Sequence, residues 1–211
     1  MTSPRSVYEE PLNAISHCLM ALASVPGLIL LVYAASGNDN KWSLFSSVIY
    51  GSSLIILYTA SGFYHAFTRI RIKNILRVVD HCSIYILIAG TYTPVVLLKI
   101  GGTTGWIFFF LQWCLAITGI IFKIFFTGRF EFLSVLIYIF MGWMIVPDIS
   151  SLYDSLPVTG FSLLVAGGLT YTAGIIFYLI DTRMLFAHFI WHIFVLAGSI
   201  LHYIFIAGYI I

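Results

Sequence analysis

The chain has 211 residues, of which 61% are hydrophobic and 9% charged, with 10 basic and 8 acidic side chains and a formal net charge of +2. A soluble domain carries about 25% charged residues, so this composition excludes an ordinary soluble globule and points to lipid as the solvent; the near balance of charge gives no nucleic-acid partner a surface to bind. Cys18, Cys82 and Cys114 all lie in apolar runs with no C-x-x-C pair, which argues against a disulfide framework.

In chain order, seven apolar runs approach or exceed the roughly 20 residues that a membrane-spanning helix needs. They cover residues 12–35, 43–67, 78–98, 105–126, 132–149, 158–180 and 185–210. The first follows the short polar start "MTSPRSVYEEP" and is too long for a signal-peptide core, so it is expected to be a retained helix. Breakers separate the runs: "SGNDNK", "RIRIKN", "KIGG", "TGRFE", "SSLYDSLP" and "DTR". Short loops make neighbouring helices antiparallel. The expected fold is therefore an all-α membrane protein, a single seven-helix domain over residues 1–211.

Basic residues set the orientation of such a bundle. With seven spans, the N-terminus shares a side with Arg5, Arg69, Arg71, Lys73, Arg77, Lys123, Arg129 and Arg183, whereas the other side holds Lys41 and Lys99. That asymmetry puts the N-terminus in the cytoplasm and the C-terminus outside, the reverse of the usual heptahelical receptor. Trp42, Trp106 and Tyr153 sit near the outer helix ends, where interfacial anchors belong.

Ionisable groups inside a span cost roughly 2.5–3.5 kcal/mol at mid-helix and are functional candidates for that reason. Four of them share one depth. His65 precedes Arg69 by four residues, Asp80 follows Arg77 by three, and His188 and His192 follow Arg183 by five and nine. At about 1.5 Å rise per residue all four fall in the cytoplasmic half, delivered by spans 2, 3 and 7. In "HFIWH", His188 and His192 are i, i+4 and share one helix face; Ser61 and His65 in "SGFYH" have the same spacing. Three imidazoles plus a water make a catalytic zinc shell, although histidine ligation also suits iron or copper. "HFIWH" has Phe189 where H-E-x-x-H proteases carry their glutamate, so a base must come from another helix. Asp80 is the acidic candidate, with Ser61 to orient it or its water. The competing reading is that these histidines only hydrogen-bond neighbouring helices.

Other polar groups read differently. Glu10, Asn13 and His17 form E-x-x-N-x-x-x-H on one face of span 1, either lining the mouth of the site or capping the bundle. His81 is about 100° around the helix from Asp80 and faces elsewhere. His202, ten residues beyond His192, is too deep for the same shell. Pro94 is read as a packing kink that membrane neighbours can satisfy.

The segments "EEPLNAISH", "SGFYH", "DHCSIYILIAGTYTP", "FMGW" and "HFIWHIFVLAGSILHY" together resemble the bacterial hemolysin III family, part of the progestin and adipoQ receptor group and related to the alkaline ceramidases. The resemblance covers essentially the whole chain. It implies seven helices with a cytoplasmic N-terminus, a zinc ion held by His65, His188 and His192, and roles for Asp80 and Ser61 beside it. In the receptor relatives the corresponding site is associated with hydrolysis of the ceramide amide bond. Only about eleven residues precede span 1, so protein-hormone reception is not expected.

Three functions follow as expectations: a zinc-dependent lipid amide or ester hydrolase acting on a membrane lipid in the bacterial inner membrane, a lipid sensor or homeostasis factor with structural zinc, or a pore-forming cytolysin. The last fits poorly with a chain that has no amphipathic switch region.

Overall fold

The computed structural model describes residues 4–211, with side chains from Tyr8 onward; the side chain of Arg5, counted above for orientation, lies outside the described residues. Among the described residues eight α-helices follow one another: α1 (Pro4–Ser36), α2 (Lys41–Ala66), α3 (Ile70–Pro94), α4 (Gly102–Phe126), α5 (Glu131–Gly142), α6 (Ile149–Ser155), α7 (Val158–Leu179) and α8 (Ala187–Tyr209). A π-helical stretch, Val95–Ile100, prolongs α3, and a 3₁₀ turn, Val146–Asp148, joins α5 to α6. By length and hydropathy these elements make seven helices able to cross a membrane, α5 and α6 together counting as the fifth. The three cysteines are unpaired.

Three boundaries have a local cause. The Asn40 side chain accepts the Trp42 N–H at 3.0 Å and caps α2. Gly101 and Gly102, both at positive φ, turn the chain between α3 and α4, a conformation that glycine adopts without a Cβ penalty. Pro157 immediately precedes α7.

Three spans depart from expectation. The first was expected to begin at residue 12, yet α1 starts at Pro4, so the polar segment before the apolar run is helical from there on. The third was expected to begin at residue 78, yet α3 starts at Ile70, and "RIRIKN" forms its first turns instead of a loop. Charge ended the apolar run but not the helix: Arg, Ile and Lys are adequate helix formers, and long basic side chains can reach the interface from a helix end. The fifth span was expected to be one helix over 132–149. It breaks after Gly142, ahead of Pro147, whose missing N–H and fixed φ do not continue the ladder. Tyr92 on α3 repairs the break, because its hydroxyl donates to the Gly142 carbonyl at 2.7 Å and accepts the Ile145 N–H at 3.1 Å. Irregular backbone at membrane depth needs such partners. Tyr92→Phe should therefore leave the buried Ile145 amide and the more exposed Gly142 carbonyl without this partner and cost about 1–3 kcal/mol for the amide, read as a lower unfolding midpoint in detergent; an unchanged midpoint would mean that water replaces the hydroxyl.

Helices α2 and α3 are the most enclosed spans. Helix α1 packs along α2 and touches α8, α3 packs on α2, α4 and α5, and α7 packs on α8. The approach of α1 to α2 is close at Gly62, where a Cβ would stand 2.7 Å from the Cys18 sulfur and 3.1 Å from the Cys18 backbone nitrogen. That contact holds the N-terminal half of α1 against the last turns of α2, and one end of the bundle thereby gathers the C-terminal end of α2, the N-terminal ends of α1 and α8, and the first half of α3.

Candidate metal centre

Helix α2 ends at Ala66 and carries Ser61 and His65 on consecutive turns. Helix α8 begins at Ala187, so His188 and His192 occupy its first two turns. This start is fixed from outside the helix: Phe186 adopts a left-handed conformation at φ 61°, and its N–H donates to the Glu9 carboxylate of α1. Glu9, placed at the positive end of α8, also suits the helix dipole.

The three histidines expected to act together are brought together. Ring centroids are 4.9 Å apart for His65–His192, 4.9 Å for His188–His192 and 5.2 Å for His65–His188. One ligand nitrogen from each lies within 4.8 Å of the others, an arrangement able to hold a metal ion. His65 and His192 are only 5% and 2% exposed, and His188 is half-buried.

Their hydrogen bonds are one-sided. His65 Nδ1 donates to Glu10 Oε2 at 2.9 Å, and His188 Nδ1 donates to Asp181 Oδ2 at 3.2 Å. The other nitrogen of His65, Nε2, is buried without a partner, and so is Nδ1 of His192, whose ring is also turned to the Asn13 main-chain carbonyl. Buried polar atoms are rarely left unpaired. Unpaired nitrogens on converging imidazoles suit a cation, and an all-imidazole donor set suits zinc, copper, iron or nickel better than magnesium or calcium. The residues present therefore fit a metal ion of that class.

Asp80 and Ser61 adjoin this triangle. The Ser61 hydroxyl lies beside the Asp80 carboxylate, and His188 is within electrostatic range of it. Glu10 contacts His65 directly and also accepts from Lys73 Nζ at 2.8 Å. His17 is 3% exposed and stacks on His192 with centroids 3.7 Å apart and planes 15° from parallel, so it lies inside the bundle against a site histidine. His81 faces a separate cluster, its Nδ1 3.8 Å from Glu131 Oε2, which also takes Lys123. His202 Nε2 donates to the Leu164 carbonyl at 3.3 Å, away from the triangle.

Sequence reasoning missed Asp181, read there only as part of a breaker, and Glu9 and Lys73. A usable signal existed for Asp181, since an acidic residue in the loop just before an H-x-x-x-H helix is well placed to reach the first histidine.

An apolar cavity of about 130 Å³ lies between α3, α5, α7 and α8. Its walls include Ile84, one turn after Asp80, and Trp191, next to His192, and continue through Leu87, Tyr138, Tyr178 and Val195.

A family model described as haemolysin-III related matches residues 5–203. The chain is 44% identical to a hemolysin-3 homolog of Bacillus subtilis (strain 168) over 194 residues, 92% of this chain and 91% of that protein. It is 43% identical to hemolysin-3 of Bacillus cereus over 205 residues, 97% and 93% of the two chains. A more distant relative is the human monocyte to macrophage differentiation factor, 28% identical over 203 residues, 93% of this chain and 82% of that protein. No solved structure matches the chain.

Proposed function

The chain belongs to the haemolysin-III-related family, and on that premise we propose that it is a multi-pass protein of the bacterial plasma membrane that hydrolyses an acyl amide or ester bond of a membrane lipid. Zinc held by His65, His188 and His192 is the proposed cofactor. The observation that carries this reading is the combination of three converging imidazoles with a carboxylate–hydroxyl pair, Asp80 and Ser61; an apolar cavity whose walls include Trp191, the chain neighbour of His192, is the proposed place for the acyl chain. The charge asymmetry of the loops supports a cytoplasmic N-terminus and an extracytoplasmic C-terminus, and with that proposed orientation the site would face the inner leaflet.

An ion held by His65, His188 and His192 would supply Lewis-acid polarisation of a carbonyl and lower the pKa of a water toward neutrality. The chain's own residues do the rest. The apolar walls take the acyl chain, bury it from water and bring its carbonyl to the end of the cavity nearest Asp80. Asp80 accepts a proton from the attacking water as the new carbon–oxygen bond forms, and returns it to the leaving nitrogen or oxygen as the old bond breaks. Ser61 donates to the Asp80 carboxylate and fixes its direction. Loss of that single hydrogen bond in Ser61→Ala should lower turnover about 3- to 10-fold, with the zinc content unchanged; equal turnover would remove Ser61 from the mechanism.

The reading is tested with purified protein in lipid nanodiscs offered a panel of N-acyl and O-acyl lipids, with fatty acid release followed by mass spectrometry. Release that stops on chelation and returns with zinc supports it. Stoichiometric zinc with no release from any lipid of the panel sinks the hydrolase and leaves a lipid-sensing role with structural zinc. Cysteine-labelling of engineered termini from each side of the membrane tests the orientation. Lysis by a soluble form, as the relatives' name suggests, is not favoured, because a chain of seven apolar spans has no water-soluble state from which to insert.

A further inference from the structure

We infer that Glu10 and Asp181 are positioning residues for the metal centre, each fixing the ring orientation and tautomer of one histidine, so that helix α1, which offers no ligand, is a working part of the site. This rests on the reading of His65, His188 and His192 as metal ligands.

An imidazole offers two nitrogens, and the partner of one decides what the other presents. A carboxylate on the outer nitrogen holds the ring in place and raises the basicity of the inner one. Both His65 and His188 have this arrangement, with Nδ1 on Glu10 at 2.9 Å and on Asp181 at 3.2 Å. The two carboxylates come from different places, one from α1 and one from the loop between α7 and α8. Neither is sequence-adjacent to the histidine it holds, as 55 residues separate Glu10 from His65 and seven separate Asp181 from His188. Two carboxylates reaching Nδ1 on two of three clustered rings are what a built outer shell requires; helix-to-helix pinning alone would accept either nitrogen.

Glu10 also explains Lys73. A carboxylate near the membrane interior is costly unless paired, and the Lys73 ammonium shares the same Oε2 at 2.8 Å. The Lys73–Glu10–His65 chain thus ties α3, α1 and α2 together around one ring nitrogen. The neighbouring Glu9 has a different task, receiving the N–H of Phe186, two residues before His188, and setting where α8 begins. Further along the same face of α1, Asn13 and His17 meet His192, one by its main-chain carbonyl and one by stacking at 3.7 Å. The E-x-x-N-x-x-x-H spacing therefore reads as one helix face touching His65 and His192, while Asp181 serves His188.

The test uses the full chain, with zinc affinity measured by competition against a chromogenic chelator and ligand geometry by the visible spectrum of the cobalt-substituted protein. Glu10→Ala and Asp181→Ala are each expected to weaken zinc binding about 10- to 100-fold and to change the cobalt spectrum. Glu10→Gln keeps an acceptor for Nδ1 and should recover most of the affinity, which a lost ion pair with Lys73 would not allow. If Glu10→Ala does not fold, Asp181→Ala, in a loop and half-exposed, decides. Wild-type affinity and an unaltered cobalt spectrum in the folded alanine variants would overturn the inference while leaving the three-histidine site intact. Failure of the unaltered protein to bind zinc would overturn both.

Discussion

Replacing His192 with phenylalanine is expected to strip the protein of bound zinc. His192 is the least exposed of the three histidines, at 2%, and its Nδ1 has no hydrogen-bond partner. Phenylalanine keeps the ring volume and the stacking surface that faces His17 at 3.7 Å, so the change removes a donor nitrogen with little loss of packing. Since outer-shell changes alone cost about 10- to 100-fold in affinity, loss of a ligand should cost more than about 100-fold, and zinc per chain should fall from stoichiometric to near zero by mass spectrometry. Ligand binding stabilises the native state by RT ln(1 + [L]/Kd), about 4 kcal/mol at a thousandfold excess over Kd. The zinc-dependent rise in unfolding midpoint should therefore disappear in His192→Phe, with the chelated wild type and the variant melting alike. His202→Phe is the control: His202 lies ten residues further along α8, roughly 15 Å away by helical rise, with its Nε2 on the Leu164 carbonyl, and its loss should leave the zinc content unchanged. Normal zinc content in His192→Phe would end the three-histidine assignment.

The sequence already contained the spans, and the reason is physical: a membrane helix needs a long apolar run, and such runs are visible without any knowledge of packing. The histidine triangle was legible for a second reason. Spacing of i, i+4 fixes one face, and distance from the flanking basic residues fixes depth, so His65, His188 and His192 could be grouped before any contact was known. What composition could not show was where a helix stops once charge replaces apolarity. Helix α3 runs back through Arg71, Lys73 and Arg77 to Ile70 because basic side chains tolerate the interface. The break in the fifth span was equally hidden, since Gly142 and Pro147 sit in an apolar run and the partner that makes the break tolerable, Tyr92, is on another helix.

The outer shell was the least legible part. Helical spacing tells which residues share a face but not which neighbour that face meets. Glu10, Asn13 and His17 were visible as a stripe, yet only packing of α1 against α2 and α8 reveals that the stripe meets His65 and His192. Asp181 lay in a loop, where no periodicity applies. The close contact of Gly62 with Cys18 shows how tightly that packing is set, because it presses α1 to α2 one turn from His65. The surroundings of the histidine triangle are thus set in part by a helix that supplies none of the proposed ligands.

Asp80→Asn is expected to abolish most lipid hydrolysis while leaving zinc in place. The carboxylate is supplied by α3, separate from the two helices that carry the histidines, and it stands beside Ser61 and within the field of His188. Asparagine keeps the size and can still accept from the Ser61 hydroxyl, but it cannot take up a proton. General acid–base groups contribute about 10²- to 10⁴-fold, so turnover per zinc-loaded molecule should fall by that factor, with KM for the same lipid little changed because the apolar cavity that would hold the chain is untouched. Asp80→Glu restores a proton acceptor but lengthens the side chain by a methylene, and should recover only part of the rate, since a displacement of about 1 Å costs up to 10²-fold at a reacting centre. A purely structural carboxylate would behave in the opposite way: Asp80→Asn would lower the unfolding midpoint while each folded, zinc-loaded molecule kept its full rate. Zinc content, midpoint and single-turnover rate measured on the same preparations separate the two outcomes, and an unchanged rate in Asp80→Asn would remove the base from the proposed reaction even if the metal and the lipid remained.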